Sequence, residues 1–209
     1  QQVRRQKIFL TCLFLLIVGC ILLRFSKFSG RQKETHQINA ACEAYRDEVS
    51  SEAAQYDMSD YVDLILAVMM QESSGQGTDP MQSSEGAYNT RYPQQPNGIT
   101  DPSYSISCGI QELKYALEKA VCTGPTDLSK IRLALQAYNF GADSYFAYLE
   151  ENGQTVWTAQ SAQAFAQMAS GGTQRDEDDP LHDPAGPWDY GDQYYPDHVL
   201  RYYHLDNNS

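Results

Sequence analysis

Positive charge is scarce over most of this chain. Seven of its 15 Lys and Arg residues lie within the first 33 positions, which hold no acid, so the remaining residues set eight bases against all 27 acids. A surface that acidic repels nucleic acid and anionic lipid, which excludes both as partners of the main body. Metal-ligand spacing is missing as well. The five cysteines form no CxxC pair, and His36, His182, His198 and His204 are scattered. The acidic run Asp176-Glu177-Asp178-Asp179 lacks the alternating ligands and central glycine of a calcium loop. Neither a metal nor another cofactor is expected.

Long apolar runs are confined to the N-terminus. Ile8 to Phe25 is uncharged up to Arg24 and approaches the roughly 20 residues that cross a bilayer as a helix. Arg4, Arg5 and Lys7 precede it, and Arg24, Lys27, Arg31 and Lys33 come after it, so flanking charge alone does not orient it. The acidity of the remaining chain does, by making the cytoplasmic face an unsuitable place for a tethered domain. The expected organisation is therefore a basic cytoplasmic end (1–7), a transmembrane anchor (8–25), a polar stalk (26–37) and one extracellular domain (38–209). Two alternatives stay open: a cleaved secretory signal, although no small-x-small site is present after the run, and a lipoprotein acylated at Cys20 of Ile17-Val18-Gly19-Cys20. Outside the run remain Cys42, Cys108 and Cys122. They allow one disulfide or three free thiols, but Cys108 and Cys122 bracket a helix too long to bridge end to end.

The domain reads as all-helical. An amphipathic, Ala-rich pattern covers Ala40 to Tyr56, and Asp57-Met58-Ser59-Asp60 supplies cap chemistry, with Asp60 the expected cap, for a helix ending at Glu72. Apolar residues at three- and four-residue spacing predict helices over 106–121 and 127–140, with shorter ones at 142–151 and 158–170. A last helix, carrying Val199 and Tyr202, comes after Tyr190-Gly191-Asp192. Between the helices, residues 73–105 hold eight Gly and Pro, so a long loop is expected there; Met81, Tyr88, Tyr92, Ile99 and Tyr104 are available to pin it as a cleft wall. Residues 171–188, acidic and Pro-rich, are expected to be a mobile, solvated insert.

Glu72 is the foremost candidate for chemistry. It closes an apolar helix just where Ser73-Ser74-Gly75-Gln76-Gly77 opens the chain, so partial desolvation should raise its pKa and let it carry a proton near neutral pH. The order Glu72-Ser73, then Met81-Gln82-Ser83-Ser84-Glu85, then Ile106-Ser107-Cys108-Gly109-Ile110, then Ala137-Tyr138-Asn139-Phe140-Gly141 resembles the goose-type lysozyme and lytic transglycosylase superfamily. It is most similar to the muramidase domain of CwlT-type wall hydrolases, over about 40–203, with Asp79-Pro80 where Gly-Leu is usual.

The resemblance implies a lysozyme-like fold and general acid catalysis by Glu72, cleaving the MurNAc-β-1,4-GlcNAc bond of peptidoglycan. Ser73, Gln82, Ser83, Tyr138 and Asn139 would then lie along the sugar-binding cleft, with the Tyr138 hydroxyl near the acid. Asp101 or Glu85 would hold the attacking water. Each has a plainer explanation, Asp101 as a helix cap and Glu85 as a partner of Arg91. Without a held water the same acid would give a 1,6-anhydro product, as in a lytic transglycosylase; a silent peptidoglycan-binding module is the third possibility. The resemblance also implies a Gram-positive host and work alongside conjugation or type IV secretion machinery.

Overall fold

The computed structural model of the chain describes residues 36–179 and 182–205. The expected anchor at 8–25 and most of the stalk lie outside them. Among the described residues no helix is long and apolar enough to cross a membrane. They form α1 (Ala40–Glu43), α2 (Arg46–Gln55), a 3-10 turn (Ser59–Tyr61), α3 (Val62–Glu72), α4 (Pro102–Lys119), α5 (Leu128–Phe140), α6 (Ala142–Glu151), α7 (Ala159–Ala169) and α8 (Tyr195–Leu200). No strand occurs among them, and Gln174 and Trp188 form an isolated bridge.

The most apolar helix is the central one. Leu64 through Met69 of α3 are all fully buried, which stabilises by roughly 1.5–3 kcal/mol for each large side chain. α1 and α2 cover it from one side and α8 from another, while α5 packs on α4, α6 and α8. The end of α3, and with it Glu72, is therefore held by elements from both ends of the domain.

Local chemistry sets most boundaries. The Asp101 carboxylate accepts from the Ser103 amide (3.2 Å) and starts α4 with Pro102 at its first position. Asp127 caps α5 through the Lys130 amide at 3.3 Å, and Thr158 and Ser161 form a reciprocal capping box on α7.

Two expectations are corrected, and a third gains detail. The helix over 40–56 is broken at Ala44–Tyr45, where the Tyr45 amide reaches back only three residues to the Cys42 carbonyl (3.0 Å). Asp60 does not cap α3, because it lies inside the 3-10 turn Ser59–Tyr61 that leads into it, beside the buried Met58. The 171–188 segment is fastened at both ends: the Arg175 amide donates to the Pro187 carbonyl and the Asp189 amide to that of Thr173, each at 2.9 Å. Cys42, Cys108 and Cys122 are free thiols, the first two buried.

Candidate active site

The loop between α3 and α4 owes its shape to one buried acid. The Oδ1 of Asp79 accepts from the Ser105 hydroxyl (2.6 Å) and the Ser83 amide (3.1 Å); its Oδ2 accepts from the Ser84 amide (3.2 Å) and the Ser84 hydroxyl. Those donors satisfy a carboxylate that would otherwise be costly to bury. Around this hub the Ser73 hydroxyl donates to the Pro80 carbonyl (2.8 Å) and the Ser83 hydroxyl to the Ser105 carbonyl (2.9 Å). Both serines thus hold the loop together. Ser83 is buried and lines no part of the cleft, in contrast to the substrate contact expected of it.

Glu72 lies where two cavities meet. One, of about 580 Å³, is lined with it by Gln82, Glu85, Glu112, Tyr138, Asn139 and Tyr190 among others. The second, of about 550 Å³, shares Glu72 and Asn139 and continues over Asp192, Tyr195, His198 and Arg201. Burial pushes the Glu72 carboxyl up to about 7; the Tyr195 hydroxyl, donating to its Oε1, pulls the other way, and the charges of Asp192, Asp79 and Glu112 add to the rise. The acid is thus poised to hold a transferable proton at neutral pH.

The tyrosine that hydrogen-bonds Glu72 is Tyr195, from α8, while Tyr138 lines the same cavity as the acid. Tyr138 donates instead to the Met81 carbonyl (2.9 Å) and stacks on Tyr195, with ring centroids 6.3 Å apart. Asn139 accepts from the Asp192 amide at 2.7 Å through Oδ1, which ties the end of α5 to the segment before α8. Close approach is needed there: a Cβ on Gly191 would come within 2.6 Å of that Oδ1, and Gly191 has φ +48°. Asp192 also holds His198, Oδ2 to Nδ1 at 2.6 Å, and this hydrogen bond raises the His198 pKa.

Of the two carboxylates expected to assist, Glu85 is exposed on the rim of the first cavity and Asp101 lines a different groove, beside Arg91 and Tyr104. The geometry does not bring Asp101 together with Glu72. Nor does Arg91 pair with Glu85: its guanidinium lies 4.5 Å over the Tyr104 ring. A carboxylate that sequence reasoning passed over, Glu112 of α4, does line the Glu72 cavity. Burial pushes it up to about 7, partly offset by the main-chain N–H groups of Tyr88 and Ala87. Among the described residues its buried Oε1 has no hydrogen-bond partner. It sits flush beneath the loop, since a Cβ on Gly86 would fall 1.5 Å from that oxygen. Asp192 is the other carboxylate beside the acid; its one signal in the sequence was the Tyr190-Gly191-Asp192 pattern ahead of the last helix. No group of three His, Cys, Asp or Glu among the described residues is placed to hold a metal.

Comparison with known proteins agrees with this geometry. Residues 40–203 match the family model described as lysozyme-like. The chain is 35% identical over 169 residues to the bifunctional muramidase/DL-endopeptidase CwlT of Bacillus subtilis, covering 81% of this chain and 44% of that protein. It is 32% identical over 135 residues to pneumococcal vaccine antigen A of Streptococcus pneumoniae, covering 64% and 61%. It is also 40% identical over 115 residues to the uncharacterized membrane protein YocA of B. subtilis, covering 53% and 45%. The chain thus spans about half the length of such relatives. A crystal structure from Staphylococcus aureus, described as similar to lipoprotein of the NLP/P60 family, superposes with a TM-score of 0.68 at 27% identity, covering 83% of this chain and 56% of that one. The chain belongs to the lysozyme-like family, as a CwlT-type domain of it.

Proposed function

We propose that this domain is an N-acetylmuramidase that cuts the MurNAc-β-1,4-GlcNAc bond of peptidoglycan, with Glu72 as the general acid. One observation carries the reading: Glu72 stands at the junction of two cavities with a pKa near 7, where it can protonate a leaving oxygen. The fold of its relatives and the muramidase named in CwlT support the same substrate.

In the proposed reaction, Glu72 donates its proton to the glycosidic oxygen as positive charge develops on the muramyl C1. Water attacks that carbon and loses a proton to a carboxylate of the cleft; Glu112 and Asp192 act on the acid through their charge, and Glu85 stands on the rim. The transglycosylase reading is favoured by one placement, that of Asp101 in a separate groove, which takes away one of the two expected water-holding groups. A domain outside the membrane, reached through an anchor at 8–25, fits this substrate, as does local opening of the wall for a conjugation or type IV secretion machine. Mass spectrometry of muropeptides released from purified wall tests the proposal: reducing muramic acid ends are expected. Anhydro ends would replace hydrolysis by transglycosylation, and absence of any glycan cleavage would overturn the reading.

A further inference from the structure

The two cavities that meet at Glu72 differ in charge. Besides the shared Glu72, the first carries only acids, Glu85, Glu112 and Asp143, whereas the second sets Arg175, Arg201 and His198 against Asp183 and Asp192. Cations are few in this domain, so their gathering on one side of the acid calls for a physical account.

Each of the three is held in place. Arg175 has a side chain only 8% exposed, with its guanidinium donating to the Gly191 carbonyl (3.0 Å) and lying 3.4 Å from Asp189. His198 is fixed by Asp192. Arg201 is different, because among the described residues it forms no ion pair: it donates to the Gln71 side chain (2.9 Å) and lies 4.8 Å over the Tyr202 ring. One of its five N–H donors is engaged, so most of its planar fork is free for a ligand. No nearby carboxylate pairs with it: Asp192 is engaged by His198, and Asp183, which keeps its charge on the same cavity wall, accepts the amide of Ala185 at 2.8 Å. The same cavity holds the buried Nδ1 of His182, which has no hydrogen-bond partner among the described residues.

A guanidinium with most of its donors uncommitted, beside Arg175 and His198 that already hold their own counter-charges, fits a carboxylate. In peptidoglycan the glycan backbone is neutral, and the carboxylates belong to the peptide attached to muramic acid. We propose that this arginine-lined cavity is a subsite for the carboxylates of that peptide, with Arg201 making the direct contact. The inference rests on the muramidase reading and adds to it: the sugar carrying the peptide lies on the Arg201 side of Glu72, and the enzyme prefers strands whose peptides are present and charged.

The test compares glycan strands in three forms: with their peptides, with peptides removed by an amidase and the lactyl carboxylates so exposed converted to amides, and with peptides whose carboxylates have been converted to amides. For the unmodified domain, KM on native strands should be about tenfold lower than on either of the others, the worth of a charge-assisted hydrogen bond at a partly exposed site. In Arg201→Gln the ratio between the three forms should fall towards one. The ratio is the readout, so any general loss of activity in the variant cancels. Were that variant not to fold, the comparison of native with amidated strands needs no mutation. Equal KM on all three forms overturns the subsite and leaves the muramidase reading intact, as does a preference that survives amidation or the Arg201 substitution. Failure to cut any of the strands overturns both.

Discussion

Replacing Tyr195 by Phe should move the pH dependence of the enzyme towards alkali. Burial of Glu72 favours its protonated form, while the Tyr195 hydroxyl favours the carboxylate by donating to Oε1. The ring would stay in its stack on Tyr138 and only the donor would go. A hydrogen bond to a charged acceptor contributes roughly 1.5–3 kcal/mol, which corresponds to about one to two pK units. Glu72, at about 7 in the unmodified protein, should then titrate higher still. Because the reaction needs the acid protonated, the alkaline limb of kcat should shift upward by the same amount. Dye release from labelled wall, measured from pH 5 to 10 at constant ionic strength, gives the limb. Titration of the Glu72 carboxyl carbon by NMR gives the pKa without reference to turnover. A limb that stays where it is, or moves towards acid, would refute the assignment of Glu72 as the proton donor under Tyr195's control.

Three other outcomes are expected from the same geometry. Glu72→Gln keeps the shape and removes the proton, so wall lysis should fall by about 100- to 10,000-fold while circular dichroism is unchanged. Glu72 and Glu112 are both raised from 4.5 to about 7, so the folded state binds their protons more tightly than the unfolded chain. Each contributes stability that is complete below pH 4.5 and lost as pH rises through 7, up to about 3 kcal/mol per group. Denaturant titrations at pH 5 and 8 should show this decline, and Glu112→Gln should flatten it; an unchanged slope in that variant would place the titrating group elsewhere. Asp101→Ala removes the cap of α4 and should cost about 0.5–2 kcal/mol, seen as a lower Tm. Its turnover should stay within a few-fold of normal, whereas a loss comparable to that of Glu72→Gln would bring Asp101 back to the reaction.

Periodicity in the sequence reached the helices that carry a regular apolar face. α5, α6 and α7 lie within a residue of their expected bounds, and α4 follows the spacing of Ile110 and Leu113 but starts four residues earlier, at Pro102. The break at Ala44–Tyr45 was hidden because an Ala-rich amphipathic stretch continues in register across it. The acid itself was legible, being marked by the abrupt change from an apolar helix to a Gly/Ser loop. Its surroundings were not. Glu112 reads as a solvent-facing residue of an amphipathic helix and becomes buried only because the loop at Gly86 closes over it. Asp79 sits in a loop rich in Gly and Pro, and its role as the hub of three serines depends on contacts up to 26 residues away. Tyr195 is one of 15 tyrosines, and nothing local distinguishes it.

The contact between Tyr195 and Glu72 also spans time. The two residues are 123 positions apart, and Asp192, the other modifier on that side, is nearly as distant from the acid. During synthesis the glutamate emerges long before α8 exists to close over it, so a chain that stops short of α8 lacks both the cover and the hydroxyl that set the proton affinity of Glu72. The environment of the acid is completed only when the last helix of the domain docks.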